Sequence, residues 1–231
     1  MIPNIYPGCF IALEGIDGCG KSTQLKKVVD WVRANRRSVI STKEPGRDRF
    51  FGAKIHEDLK NPEGLNKKDP FRFQMLYARD SKEHLRKEII PRLYAGCDIV
   101  SDRFRPSMVY GARPPYPNWF GMVYNKITSN EVLRKLMEMN QQVIGEDFIW
   151  PDAILIFDVS VKTAIERLQN QGKVLDFFEK EQVLEPARTK YIVFSSMFPN
   201  CYIIDGKKSP DEVFERVKSI LEPILKLKLK N

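Results

Sequence analysis

Gly15-Ile-Asp-Gly-Cys-Gly-Lys-Ser22 fits the pattern G-x-x-x-x-G-K-[ST] at every fixed position. These residue types suit one task, holding a polyphosphate. Gly15, Gly18 and Gly20 let the backbone turn tightly and bring N–H groups close to phosphate oxygens. Lys21 has the charge and reach for β- and γ-phosphates, and Ser22 has a hydroxyl for Mg²⁺. Ile16, Asp17, Cys19 and Thr23 complete the loop, so the whole stretch from Gly15 to Thr23 is expected against ATP. The flanks agree with this reading. Phe10 to Leu13 reads as a buried strand, and Thr23 to Arg33 as a helix with Leu25, Val28, Val29 and Val32 on one face. Strand, glycine loop and helix together are the setting of a P-loop, with the helix dipole adding positive potential at the phosphates.

The elements that must position this loop alternate between strand and helix. Ser38 to Thr42 reads as a second strand and runs into the turn Lys43-Glu-Pro-Gly-Arg47. Asp69 to Leu93 carries a helical apolar stripe interrupted late by Pro91. Asp98 to Phe104 is a short strand holding the pair Asp102-Arg103. Residues 105–130 are irregular, rich in proline and aromatics, and a helix follows from Asn130 to Val143. Ala153 to Asp158 is the clearest buried strand. Val161 to Leu168 is amphipathic, and Gln169 to Lys180 is a polar loop. Glu185 to Met197 reads as helix and Tyr202 to Asp205 as a fifth strand. Ser209-Pro-Asp-Glu212 is a capping box that opens the terminal helix. Five strands separated by helices predict an α/β domain with a parallel sheet covered on both faces. Ligands then collect at the carboxyl ends of the strands, where Gly15–Ser22, Lys43–Arg47, Asp102–Arg103, Asp158 and Asp205 all fall.

Composition narrows the partners. The chain has 231 residues, 42% of them hydrophobic, enough for a sizeable core. No repeat or linker divides it, so residues 1–231 are expected to form one domain. A net charge of +8 suits an anionic ligand. No finger spacing or basic-aromatic repeat accompanies that charge, so nucleic acid is not expected as a partner. The run from Leu225 to Lys230 reads as a solvated basic tail. Cys9, Cys19, Cys97 and Cys201 lack ligand spacing and are expected to be free thiols. No apolar run approaches a membrane span and no signal peptide precedes the first strand, which points to a cytoplasmic protein.

The motifs, taken in order, resemble the thymidylate kinase family of P-loop nucleoside monophosphate kinases. The residues that carry the resemblance are Leu13 to Gln24, Lys43-Glu-Pro-Gly46, Glu83-His-Leu with Ile90-Pro91, Ser101-Asp-Arg-Phe104 followed by Ser107, Pro151-Asp152, and Glu166-Arg167 before a lid-like loop. The resemblance implies a three-layer α/β/α P-loop NTPase fold with a five-stranded parallel sheet and a lid over about 169–180. It implies ATP- and Mg²⁺-dependent phosphorylation of dTMP to dTDP by a homodimer. A related nucleoside or nucleoside monophosphate kinase with another acceptor, and a nucleotide-binding regulatory module, are the alternatives.

Roles follow from the same resemblance. Asp17 approaches the acceptor sugar hydroxyl. Asp102 acts on Mg²⁺ together with Ser22. Arg103 bridges donor and acceptor phosphates, and the loop after Asp205 holds adenine. Arg47 falls near the grip on the acceptor phosphate, with Arg49 and Lys43 as competitors. Tyr77 offers the base a stacking face, and Ser107 and Tyr110 lie beside it. The lid cation is Lys173, with Arg167 second. The chain departs from the family at Ser81, which stands where an arginine reads the base. Its Ser107-Met-Val-Tyr110-Gly111 segment is one residue tighter than the family pattern, and the lid lacks arginine.

Overall fold

The computed structural model describes residues 2–61, 63–110, 129–172, 174–175 and 179–228. Among the described residues seven strands occur: β1 (Ile2–Pro3), β2 (Phe10–Glu14), β3 (Val39–Lys43), β4 (Asp98–Asp102), β5 (Ile149–Trp150), β6 (Ala153–Asp158) and β7 (Cys201–Asp205). Five form one sheet in the order β3-β4-β2-β6-β7, and every pairing is parallel. The central strand β2 is wholly buried, which its unbroken apolar run requires of a strand covered on both faces. The two-residue strands β1 and β5 pair separately. They are too short to leave a pattern in the sequence.

The helices are α1 (Lys21–Ala34), α2 (Phe50–Lys60), α3 (Leu65–Lys68), α4 (Pro70–His84), α5 (Ile90–Tyr94), α6 (Ser129–Ile144), α7 (Val161–Asn170), α8 (Glu181–Met197) and α9 (Pro210–Lys228). Helix α1 packs on α9 over the sheet, while α5 covers β4 and α8 covers β6 and β7. The result is the three-layer α/β/α arrangement of a P-loop NTPase. Because all five strands are parallel, Glu14, Lys43, Asp102, Asp158 and Asp205 end at one rim.

One expectation holds with added detail, and three change. The stretch Asp69–Leu93 is helical as expected, running through α4, a π-helical turn and α5. Asp69 caps α4 by accepting the Arg72 N–H at 3.0 Å, and Leu85–Ile89 then widens into a π-helical turn before α5. Pro91 follows within two residues and has no N–H to donate, so the regular ladder cannot run through it. Helices α2 and α3 were not expected. Helix α2 buries only Gly52 and Ile55, too few apolar positions to show a stripe. Helix α8 starts at Glu181, with Pro186 inside it rather than near its start. Finally, the basic tail is not solvated along its length. Leu225 is buried, and the Lys228 ammonium donates to the Asn4 and Tyr6 carbonyls at 2.9 and 3.0 Å and pairs with Asp152 at 3.2 Å.

Of the irregular segment, Arg105–Tyr110 forms a 3₁₀ helix and Ser129 opens α6; residues 111–128 lie outside the described residues. In the lid range, Gln169 and Asn170 belong to α7. No helix among the described residues is long and apolar enough to cross a membrane.

Candidate active site

A cavity of about 510 Å³ opens at the carboxyl rim between the P-loop, the end of α7 and the start of α9. Its wall brings together Asp17, Gly18, Cys19, Gly20, Lys21, Ser22 and Thr23 from the loop and Asp102 and Arg103 from the end of β4. Gly20 immediately precedes α1 with φ 101°, a conformation that suits glycine, and no side chain caps the helix above it. Gly18 has φ 81°, and a Cβ there would lie 2.3 Å from the Ala164 carbonyl oxygen. The loop therefore packs too closely on α7 for any side chain at this position. Gly15 and Ile16 contribute carbonyls, each 3.0 Å from the Lys21 ammonium. Lys21 is only 6% exposed, with its charge folded into the loop and 3.6 Å from Cys19 Sγ.

Arg103 is the link between this cavity and the residues behind it. Its backbone is left-handed, φ 73°, a conformation costing about 1–3 kcal/mol for a non-glycine residue. The Ser101 hydroxyl, donating to the Arg103 carbonyl at 2.6 Å, and the Arg103 N–H, donating to Leu13 at 3.0 Å, hold it there. The side chain donates to Asp17 at 2.6 Å and, at 3.3 Å each, to the Gly15 carbonyl, Ser107 and Tyr191. It also lies over the Tyr110 ring at 5.3 Å. Burial works against its charge, but Asp17, the two tyrosines and Glu14 outweigh burial and hold the guanidinium well above its ordinary value.

Glu14 sits beneath, fully buried. It accepts the Phe104 N–H at 2.7 Å, Ser107 at 2.7 Å and Tyr191 at 2.9 Å. Burial raises its carboxyl to about 7 in spite of Arg103. Neither Glu14 nor Tyr191 stood out in the sequence. Glu14 had one signal, an acid ending an apolar strand just before the glycine loop. Tyr191 had none, because it reaches the site from the middle of α8.

Asp102 pairs through Oδ2 with Lys43 at 3.1 Å. Its Oδ1 is buried without a hydrogen-bond partner among the described residues. An orphaned carboxylate oxygen on a residue that lines the same cavity as Ser22 fits a hard cation, or a water of one. The described residues hold no cluster of three or more metal-ligating side chains. Mg²⁺ keeps most of its waters and takes phosphate oxygens with one or two protein ligands, a donor set that Ser22 and Asp102 can supply.

The expected acceptor residues divide. Ser107 and Tyr110 lie directly behind Arg103. Tyr77 is half-buried on α4, edge-on to Phe73 with centroids 5.3 Å apart, and does not line the P-loop cavity. Of the three competing cations, Arg49 is committed to a buried bidentate pair with Asp80 at 2.9 Å. Lys43 takes Asp102. Arg47 is exposed and borders a separate cavity of about 430 Å³ with His56 and Glu88. Ser81 donates to the buried Glu44 at 2.6 Å, and His84 contacts the same carboxylate at 2.9 Å. Arg79 faces the other way, over the Phe51 ring. Lys173 lies outside the described residues. Arg167 reaches the cavity, donating to the Gly206 carbonyl at 3.0 Å with its other nitrogen above Gly20.

A P-loop closed by an aspartate-arginine pair at the rim of a parallel sheet, with the loop after β7 on the far wall, defines a nucleotide phosphotransferase. The family model for thymidylate kinase matches residues 13–217, and the chain belongs to the thymidylate kinase family. It is 36% identical over 217 residues to a thymidylate kinase of Thermosipho africanus, covering 92% of this chain and 97% of that one. It is 32% identical over 222 residues to a thymidylate kinase of Caldicellulosiruptor saccharolyticus, covering 95% and 98%.

Proposed function

We propose that the protein transfers the γ-phosphoryl group of ATP to the phosphate of dTMP, releasing ADP and dTDP. The observation that carries this reading is Arg103. Its guanidinium touches the P-loop at Gly15 and Asp17 on one side and Ser107 on the other, so one cation serves donor and acceptor. The acceptor phosphate oxygen is already anionic, so no strong general base is required, and positioning with charge stabilisation does the catalysis. The first turn of α1 and Lys21 receive the donor phosphates, and Lys21 trades its loop carbonyls for phosphate oxygens. Ser22 and Asp102 would hold Mg²⁺, which supplies neutralising charge at the phosphates when bound. Arg167, bridging Gly20 and Gly206, grips the donor between phosphates and adenine. Lys173 remains the lid lysine of this scheme. Asp17 orients Arg103 and meets the acceptor sugar, Arg47 approaches the acceptor phosphate from outside, and Tyr77 and Tyr110 flank the base.

The same reading includes a single cytoplasmic domain, supported by four free cysteines, and a homodimer, which membership of the family suggests through the long helical stretch that begins with α4. Light scattering of the purified protein tests the dimer. The reaction is tested by measuring ADP release from Mg-ATP with a panel of nucleosides and nucleoside monophosphates. Turnover with dTMP is expected; turnover confined to another acceptor overturns the reading.

A further inference from the structure

Arg105 opens the 3₁₀ turn that also carries Ser107 and Tyr110. Its side chain is 3% exposed, and none of its three guanidinium nitrogens has a hydrogen-bond partner among the described residues. The guanidinium lies between two aromatic rings, 4.3 Å from the Phe104 centroid and 4.1 Å from that of Phe148. A buried guanidinium with five donors unmet is costly, and buried charges are ordinarily paired. Stacking on two rings fixes its plane but satisfies none of those donors. Burial lowers its pKa to about 9, and the carboxylate acting against that is Glu44. Ser81 and His84 hold that carboxylate from α4. Arg105 is thus a preorganised donor fork at the start of the turn that carries Ser107, waiting for an acceptor.

We infer that Arg105 is a specificity-determining residue that donates to the ring carbonyl of the acceptor base. This deepens the dTMP reading and rests on it. The 4-oxo group of thymine or uracil accepts from such a fork. The 4-amino group of cytosine presents hydrogens to it and leaves the buried donors unmet, and sites built this way reject the mismatched group strongly. Arg105 comes from a different element than Ser81, so a guanidinium reaches the base without one on α4. It does not sense the 5-methyl group, because its donors address an oxygen.

The test is Arg105→Met, which keeps an unbranched stem between the two rings. In the wild type and the variant, kcat and KM are measured for dTMP, dUMP and dCMP, with dTMP binding measured by calorimetry. The variant is expected to raise the KM for dTMP about 10- to 100-fold, as for loss of a charged hydrogen bond, with a smaller change in kcat and none in the KM for ATP. The dTMP-over-dCMP preference should fall by a similar factor while the dTMP-over-dUMP ratio stays put, a split that loosened packing would not produce. Arg105→Gln, which retains one amide donor, serves if the methionine variant does not fold, and should fall between the two. A variant with wild-type dTMP affinity and wild-type selectivity against dCMP overturns this inference and leaves the dTMP reading standing. A wild-type protein inactive on dTMP overturns that reading, and this one with it.

Discussion

Glu14 and Tyr191 stand 177 positions apart in the chain and 2.9 Å apart at the site. Tyr191 and Ser107 both donate to the same Glu14 oxygen, and the Phe104 N–H takes the other. This carboxyl therefore ties the start of the P-loop to the 3₁₀ turn and to α8, beneath the arginine that links donor and acceptor.

That arrangement makes stability depend on pH. Glu14 has an ordinary value of 4.5 and is raised by burial to about 7 in the fold. Between those values the folded state binds the proton and the unfolded state does not. Stability from this group is thus fully present below 4.5 and is lost as pH rises through 7, by about 3 kcal/mol at most. Thermal unfolding should show Glu14→Gln losing less stability than the wild type between pH 5 and pH 8. Parallel curves for the two proteins would mean that Glu14 is ionised throughout.

Lys21→Met should leave the fold intact and remove transfer. The methionine fills the same space beside Gly15 and Ile16 but brings no charge to the phosphates. A fall in kcat of about 10²-fold or more is expected for a central electrostatic group. Circular dichroism checks the fold, and turnover near the wild-type level would rule out Lys21 as the phosphate cation.

Arg167→Ala should act on the donor alone. Its guanidinium spans Gly20 and Gly206, on the side of the cavity away from Ser107. Loss of one charged hydrogen bond, about 1.5–3 kcal/mol, corresponds to roughly a 10- to 100-fold rise in the KM for ATP. The KM for dTMP should not move. Equal effects on both substrates would place Arg167 at the transferring phosphoryl group instead.

Arg49→Ala should destabilise the protein by about 3–5 kcal/mol, because it strands Asp80, 1% exposed, without its partner. The double variant Arg49→Met with Asp80→Leu should regain most of that loss, since no buried charge remains. Chemical denaturation of the three proteins decides the matter; a double variant no better than the single one would show that the pair itself carries the stability.

How much of this was legible in the sequence depended on whether the signal was local. The five sheet strands were, because β2 and β6 carry unbroken apolar runs that only a covered sheet accepts, and β3, β4 and β7 are short segments centred on apolar pairs between helical stretches. The glycine loop was, since one contiguous segment builds it. Helix α2 was not, for want of a buried face, and the π-turn at Leu85–Ile89 leaves an apolar stripe like that of any helix. In the site, the choice among Lys43, Arg47 and Arg49 depended on partners from other elements. Asp102 claims the first and Asp80 the third, and no spacing rule reveals either. Arg105 was hidden for the same reason. An arginine in an irregular segment reads as solvated until Phe104 and Phe148 are seen to close over it.

The position of β2 also sets an order of events during synthesis. Its neighbours are β4, beginning at Asp98, and β6, ending at Asp158. At about 5–20 residues per second, the ribosome takes on the order of ten seconds or more to go from the first of these strands to the last. Until β4 emerges, Phe10, Ile11 and Leu13 have no neighbouring strand to pair with, so the emerging chain presents an unpaired apolar strand to chaperones and to other nascent chains. The phosphate-binding loop is thus translated well before the segments that form its walls.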